Sequence, residues 1–293
     1  MKRILRISFL LALPLICILV SSFNSPYSLV FQYSFGKFSN PKGISIDPDG
    51  NIYIADTGNN LLKRYNLKGE ETGEVGGYGW GNFQFDQPYD VCATNGVEIY
   101  VADYNNDRIQ RFDRTLANVA TLSARNSTDE PKKFGYPSGV VVSRLGDLFI
   151  CDDDNDRILK VNSFSTVERS FGEYGSGEAS LILPKQVDIG PHDRVYVTDR
   201  DRVAIYDYFG SYTGSIGKGI LHDPTGIGMD SNKFGVCDGD TLYLFRYDGT
   251  LLARFSNRDI IGTTVSKFND IAFYKGEAFI LTDTRVVVAK EIF

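Results

Sequence analysis

A chain of 293 residues with 42% hydrophobic side chains is that of a globular protein able to bury a core. Its 37 acidic against 31 basic residues, a formal charge of −6, repel phosphate backbones and anionic headgroups, which argues against general binding of nucleic acid or of a membrane surface. Gly (29), Tyr (17) and Phe (20) are plentiful and helix-period runs are missing after the first two dozen residues, so strands and tight turns are expected.

At the start, Lys2, Arg3 and Arg6 precede the apolar run "ISFLLALPLICILV" (7–20), with Val20 and Ser22 at the −3 and −1 places of a cleavage site. This is the layout of a secretory signal peptide over 1–22. The run is interrupted by Pro14 and is shorter than the roughly 20 residues needed to span hydrocarbon, so cleavage is expected; an uncleaved anchor is the one membrane attachment that the chain offers. Cys17 follows Ile16, where lipid attachment wants a small residue. Loss of three positive and no negative charges takes the net charge from −6 to −9. A secreted or periplasmic (extracellular) location is the expectation, without assignment to a kingdom. Cys92, Cys151 and Cys237 remain, an odd number and far apart, which is neither a disulfide framework nor zinc spacing. Cys151 and Cys237 are expected to be small buried residues.

From residue 28 onward the chain repeats. "NIYIADTGNN" (51–60) returns as "EIYVADYNND" (98–107), and the Asp within it recurs at Asp56, Asp103, Asp152, Asp199, Asp238 and Asp283. Pro41, Pro88, Pro137, Pro184 and Pro224 move in step 14 or 15 residues ahead, with Phe268 in the last copy. Each unit reads as a Pro-led inlet, an apolar strand ("GISID", "DVCAT", "GVVVS", "QVDIG", "GIGMD", "DIAFY"), a turn, and a second strand ending in Asp. A third strand follows in every copy ("LLKRYNL", "RIQRFDR", "RILKVNS", "RVAIYDY", "TLYLFRYD", "RVVVAKE"), and a fourth in five copies only. Four strands at a period of roughly 40–50 residues predict an all-β, six-bladed β-propeller of antiparallel blades over 28–293, each blade covering its neighbours' apolar faces. The surplus segment "SLVFQYSFG" (28–36) ends like "TVERSFG" (166–172), so the N-terminal strand is expected to complete the last blade and close the ring.

The run 73–113, "GEVGGYGWGNFQFDQPYDVCATNGVEIYVADYNNDRIQRFD", resembles the NHL repeat, with its Phe-x-x-Pro inlet, Tyr-Val-Ala-Asp strand and Asn-x-Arg-Ile turn. The likeness is strong in copies 1 to 3 and thins in copies 4 to 6, where the turn after Asp shortens to "DRDRV", "DGDTL" and "DTRV". The Trp-Asp signature of another propeller family is absent, and Trp80 lies in a glycine-rich connection.

The six Asp residues read as strand-end acceptors for amides of the following turn, and Arg108, Arg157, Arg202 and Arg285 as braces between blades. "CDDDNDRI" (151–158) alternates Asp152, Asp154 and Asp156, but an EF-hand needs Gly where Arg157 stands and Glu where Ser163 stands. The residues best placed to meet a ligand lead into the six innermost strands and encircle one channel mouth: Lys42, Tyr89, Asp90, Ser138, Lys185, Gln186, Thr225, Asn269 and Asp270. Gly43, Gly139 and Gly226 among them are expected to keep part of the rim open. No catalytic residue and no metal ligand is assigned. Some NHL proteins, the amidating lyases, hold zinc with three histidines; His192 and His222, the chain's two, fall at opposite ends of the ring. No cofactor is expected, with calcium the one cation left open. The expected function is an exported binding module, a monomer engaging a protein, peptide or glycan and no nucleic acid. The alternative is a metal-dependent (calcium or zinc) hydrolase or lyase at the channel mouth. "NST" (126–128) is a glycosylation sequon, meaningful in a eukaryote.

Overall fold

The computed structural model describes residues 27–123, 133–173, 175 and 177–292; the expected signal peptide over 1–22 and the 126–128 sequon lie outside them. The described chain forms six four-stranded antiparallel sheets, blades 1 to 6 in chain order. Their inner strands are Gly43–Ile46, Pro88–Cys92, Pro137–Val142, Pro184–Ile189, Gly226–Met229 and Phe268–Tyr274. Each contacts the next around a ring, and the sixth contacts the first. Blades 1 to 5 run from inside to outside in sequence order. Blade 6 takes three strands from the C-terminal end and its outermost strand, Ser28–Phe35, from the N-terminal end.

That closure has a defined register, from Ser28 opposite Ile292 to Phe35 opposite Val286. Leu29 and Phe35 are buried within it, so apolar contact as well as a hydrogen-bonded ladder holds the first strand in place. The second strand of each blade is buried along nearly its whole length, as in Ile52–Asp56 and Leu148–Asp152, because adjacent blades cover both its faces. Fourth strands are the more exposed, as in Asn118–Ser123, which alternates between exposed and half-buried residues, although Leu251–Ser256 buries Leu252, Ala253 and Phe255. Aromatic contacts tie one blade to the next, for example Phe35 against Tyr65 at 5.1 Å and Phe171 against Tyr206 at 4.9 Å.

Candidate functional site

A β-bulge opens every inner strand. Tyr89 stands unpaired between Pro88, opposite Asp103, and Asp90, opposite Ala102. Ser138, Lys185 and Asn269 occupy the same place in blades 3, 4 and 6. In blades 1 and 5 the amides of Lys42 and Thr225 donate to the carbonyls of Ala55 and Cys237, which also face Gly43 and Gly226. A bulge turns one side chain out of the pleat, and six of them set six side chains around one mouth. The residue after each bulge instead points into the channel.

Those inner residues alternate: glycine in blades 1, 3 and 5 (Gly43, Gly139, Gly226), and Asp90, Gln186 and Asp270 in blades 2, 4 and 6. The glycines do not hold the rim open as expected. A Cβ at Gly43 would lie 2.7 Å from Asp90 Cα, at Gly139 2.9 Å from Gln186 Cα, and at Gly226 2.5 Å from Asp270 Cα. They are the places where the larger residue of the next blade presses against bare backbone. Each of those residues then reaches forward to the odd-numbered blade that follows. The amides of Ile44, Val140 and Ile227 donate to Asp270 Oδ2 (2.9 Å), Asp90 Oδ2 (2.8 Å) and Gln186 Oε1 (2.5 Å). The Val91 and Ile271 amides donate to the remaining Asp90 and Asp270 oxygens at 2.8 Å. Gln186 Nε2 spans both, at 3.3 Å from Asp90 Oδ1 and 2.8 Å from Asp270 Oδ2. The three side chains therefore form a polar bridge across the channel. Burial pushes Asp90 up to about 7, against the pull of its amide donors; Asp270 is raised well above the carboxylate range by burial and by Asp90.

Above the bridge lies a cavity of about 330 Å³ lined by Lys42, Tyr89, Ser138, Lys185, Gln186, Thr225 and Asn269, so seven of the nine expected residues share one site. Asp90 faces the other side, a cavity of about 90 Å³ walled by Ile44, Val91, Val140 and Ile271, and Asp270 is 1% exposed. Several of the seven have their donors engaged between blades. Ser138 Oγ donates to the Pro184 carbonyl (2.9 Å), Asn269 Nδ2 to that of Pro41 (2.8 Å), and Thr225 Oγ1 to that of Asn269 (3.1 Å). Lys42 and Tyr89 are left facing the cavity, with Lys42 Nζ 6.0 Å from the Tyr89 ring centre. The sequence reading missed Tyr104, Asp153, Leu183, Asp223 and Lys267, which line the same cavity. Tyr104 and Asp153 directly follow a repeated Asp, and the other three directly precede the inlet Pro or Phe, which is the signal that could have found them. Tyr104 stacks on Tyr89 at 4.1 Å and donates its hydroxyl to Asp153 Oδ2 at 2.7 Å.

The repeated Asp residues are structural, but the backbone amides they accept lie upstream, and what they accept from the following turn is side-chain amides, those of Asn59, Asn106 and Asn155. Amides 17 residues earlier, of Ser39, Asp86, Gly135 and Ile182, donate to Asp56, Asp103, Asp152 and Asp199 at 2.8–3.1 Å. The backbone of the following turn is closed by its own bonds, such as the Asn60 amide to the Thr57 carbonyl. Arg108 Nε meets Asp103 Oδ2 at 2.6 Å, while its terminal nitrogens hold the carbonyls of Trp80, Gly81 and Gln84. Arg157 and Arg202 repeat this toward Lys133 and toward Glu178 with Ser180, so these arginines brace the inlet loops. Cys92, Cys151 and Cys237 are buried free thiols; burial pushes the Cys92 thiol up to about 11 and raises the other two. Among the described residues, no three His, Cys, Asp or Glu side chains converge to hold a metal ion.

The NHL repeat family profile matches residues 38–65, the first blade's inlet and three inner strands. Among curated relatives, Drosophila melanogaster Protein brain tumor is 28% identical over 42% of this chain and 12% of its own length. A probable peptidyl-alpha-hydroxyglycine alpha-amidating lyase of Caenorhabditis elegans is 26% identical over 44% of this chain and 39% of its own. NHL repeat-containing protein 3 of Homo sapiens is 24% identical over 54% and 49%. The matches thus span half or less of each of these relatives. Among solved structures, a streptogramin B lyase superposes with a TM-score of 0.62 at 12% identity over 91% of this chain and 98% of its own. A Staphylococcus aureus virginiamycin B lyase superposes at 0.60 and 15% over 87% and 82%. At such identities these two likenesses concern the fold.

Proposed function

We propose that this NHL-repeat six-bladed propeller is an exported binding module that engages a protein, peptide or glycan through the face carrying its six bulged inlets, with no catalysis required. The observation that carries the reading is the bulge set. One backbone device, used six times, aims side chains at a single mouth, and the bridge beneath fixes the strands that present them. A rigid rim of this kind loses little entropy when a partner docks. Residues 1–22 support export by their signal layout, and fractionation with N-terminal sequencing of the exported protein tests that part.

The binding face is tested by photo-crosslinking. A benzophenone amino acid placed at Tyr89, on the rim, should yield adducts with the native partner, and one at Asn95, at the other end of the channel, should not. Adducts formed only from position 95 sink the assignment.

The second reading, a calcium- or zinc-dependent hydrolase or lyase at the same mouth, is favoured by the likeness to the amidating lyase. It requires Asp90 and Asp270 to give up backbone amides that already occupy their oxygens. A thermal-shift response to calcium or zinc that EDTA reverses, and that Asp90→Ala or Asp270→Ala abolishes, would move the balance to it.

A further inference from the structure

Resting on the reading of this mouth as the binding site, we propose that it receives a compact oxyanion, the carboxylate or phosphate group of a small ligand, held by Lys42 with Lys267 and Lys185. The three ammonium groups come from blade 1, from blade 4 and from the segment leading into blade 6, and all line the one cavity of about 330 Å³. They are close enough to oppose one another's charge. Burial lowers the Lys42 ammonium below its ordinary range, and Lys267 and then Lys185 lower it further. This gathering of positive charge occurs on a chain whose overall balance is acidic.

The neighbouring acids neutralise it only in part. Asp223 is paired with Lys185, and Asp153 receives the Tyr104 hydroxyl. Among the described residues no ion pair engages Lys42 or Lys267, and half-buried Lys42 has only the face of the Tyr89 ring, itself stacked on Tyr104 behind. Nothing in the wall can swing to relieve it, because Ser138, Thr225 and Asn269 are bonded to carbonyls of the next blade. An anion at the centre would convert mutual repulsion into attraction and satisfy a half-buried charge that no ion pair among the described residues engages. The volume is at the low end for ligand pockets, which suits one anionic group on a body of modest size. An acidic overall balance disfavours anions at the surface at large; at this mouth the local charge reverses that preference.

The test uses the folded, signal-free protein with its lysines reductively ¹³C-methylated, so that each dimethylamine is resolved by NMR. Succinate, inorganic phosphate and chloride are titrated separately. The Lys42 signal should move saturably with succinate or phosphate, its titration midpoint should rise, and the two arms decide which oxyanion is preferred. Lys42→Gln should weaken binding by about tenfold or more, whereas Lys68→Gln, on an exposed outer turn, should leave it unchanged. If chloride acts as strongly, or Lys42→Gln binds as the parent does, the oxyanion site is wrong. Crosslinking at Tyr89 that persists in that event keeps the binding-module reading while removing this one.

Discussion

Replacing Asp90 by Asn tests the polar bridge by two opposed effects that depend differently on pH. Burial raises Asp90 from an ordinary 3.8 to about 7. In the unfolded chain it ionises near 4, so between about pH 4 and 7 the unfolded state holds fewer protons than the native one. Stability must therefore be greatest below pH 4 and fall as pH rises through 7. At about 1.4 kcal/mol per unit, the loss is on the order of 4 kcal/mol. An Asn side chain does not titrate, which abolishes this share. It carries its own cost, because one oxygen becomes an NH₂ facing either the Val91 or the Val140 amide, leaving a buried donor unsatisfied at roughly 1–3 kcal/mol at every pH. The variant should thus be less stable than the parent near pH 4.5 and equal or more stable near pH 8. Asp188, pushed up to about 7 chiefly by burial, and Asp270, raised well above its ordinary range, are both raised in part by Asp90, so each adds to the change in the same direction. Urea unfolding across that range at constant ionic strength gives the answer. A stability difference between the two proteins that stays flat with pH would falsify the account of a buried, titrating bridge.

Three further outcomes follow from the packing. Gly226→Ala places a methyl 2.5 Å from the Asn269 carbonyl and from Asp270 Cα, both backbone, and should cost about 1–3 kcal/mol or more, whereas Gly73→Ala meets only movable side chains at 3.2 Å and beyond and should cost well under that; urea midpoints compare them. Leu29→Ala, at 1% exposure in the closing strand, should lose about 2–5 kcal/mol, and an unchanged melting temperature would show that this strand does not secure the ring. Arg108→Gln breaks the clamp on the carbonyls of Trp80, Gly81 and Gln84, so the emission of the chain's single tryptophan should shift and limited proteolysis should cut within 77–87 before any site in blade 3.

The ring was legible because its markers are spaced by geometry that every blade shares. A proline can begin an inner strand only where no ladder amide is needed, and the Asp must sit where it can reach back to the inlet, so the two keep step through six copies. The closing strand was legible by subtraction, as a surplus at one end matching a vacancy at the other. The bulged residues could be named because they follow the inlet residue directly. What those residues do could not be read in the same way. Gly43, Gly139 and Gly226 suggest open space when blades are taken one at a time; only the approach of the next blade shows that they make room for Asp90, Gln186 and Asp270. Bonds such as Ile44 to Asp270 join residues 226 apart, and no local pattern announces them. Lys267 escaped notice because it precedes its strand, and its relevance lies in its nearness to Lys42 of the adjacent blade.

The bridge also bears on the proposed binding mouth. Burying two carboxyl groups beside each other in a propeller's axis is costly, and no described cation relieves them; four backbone amides and the Gln186 amide do so instead. An apolar filling of the same volume would stabilise the ring as well, but it would not fix the rotational setting of six inner strands, because apolar contacts are not directional. Hydrogen bonds from alternate blades to the amides of the next ones are directional, and each sits one residue beyond a bulge. The same bond that spans the channel therefore holds the rim residue beside it. A partner arriving at the mouth would meet side chains already positioned, over a floor that separates them from the narrow cavity below, so on the proposed reading recognition comes from the rim and its charges.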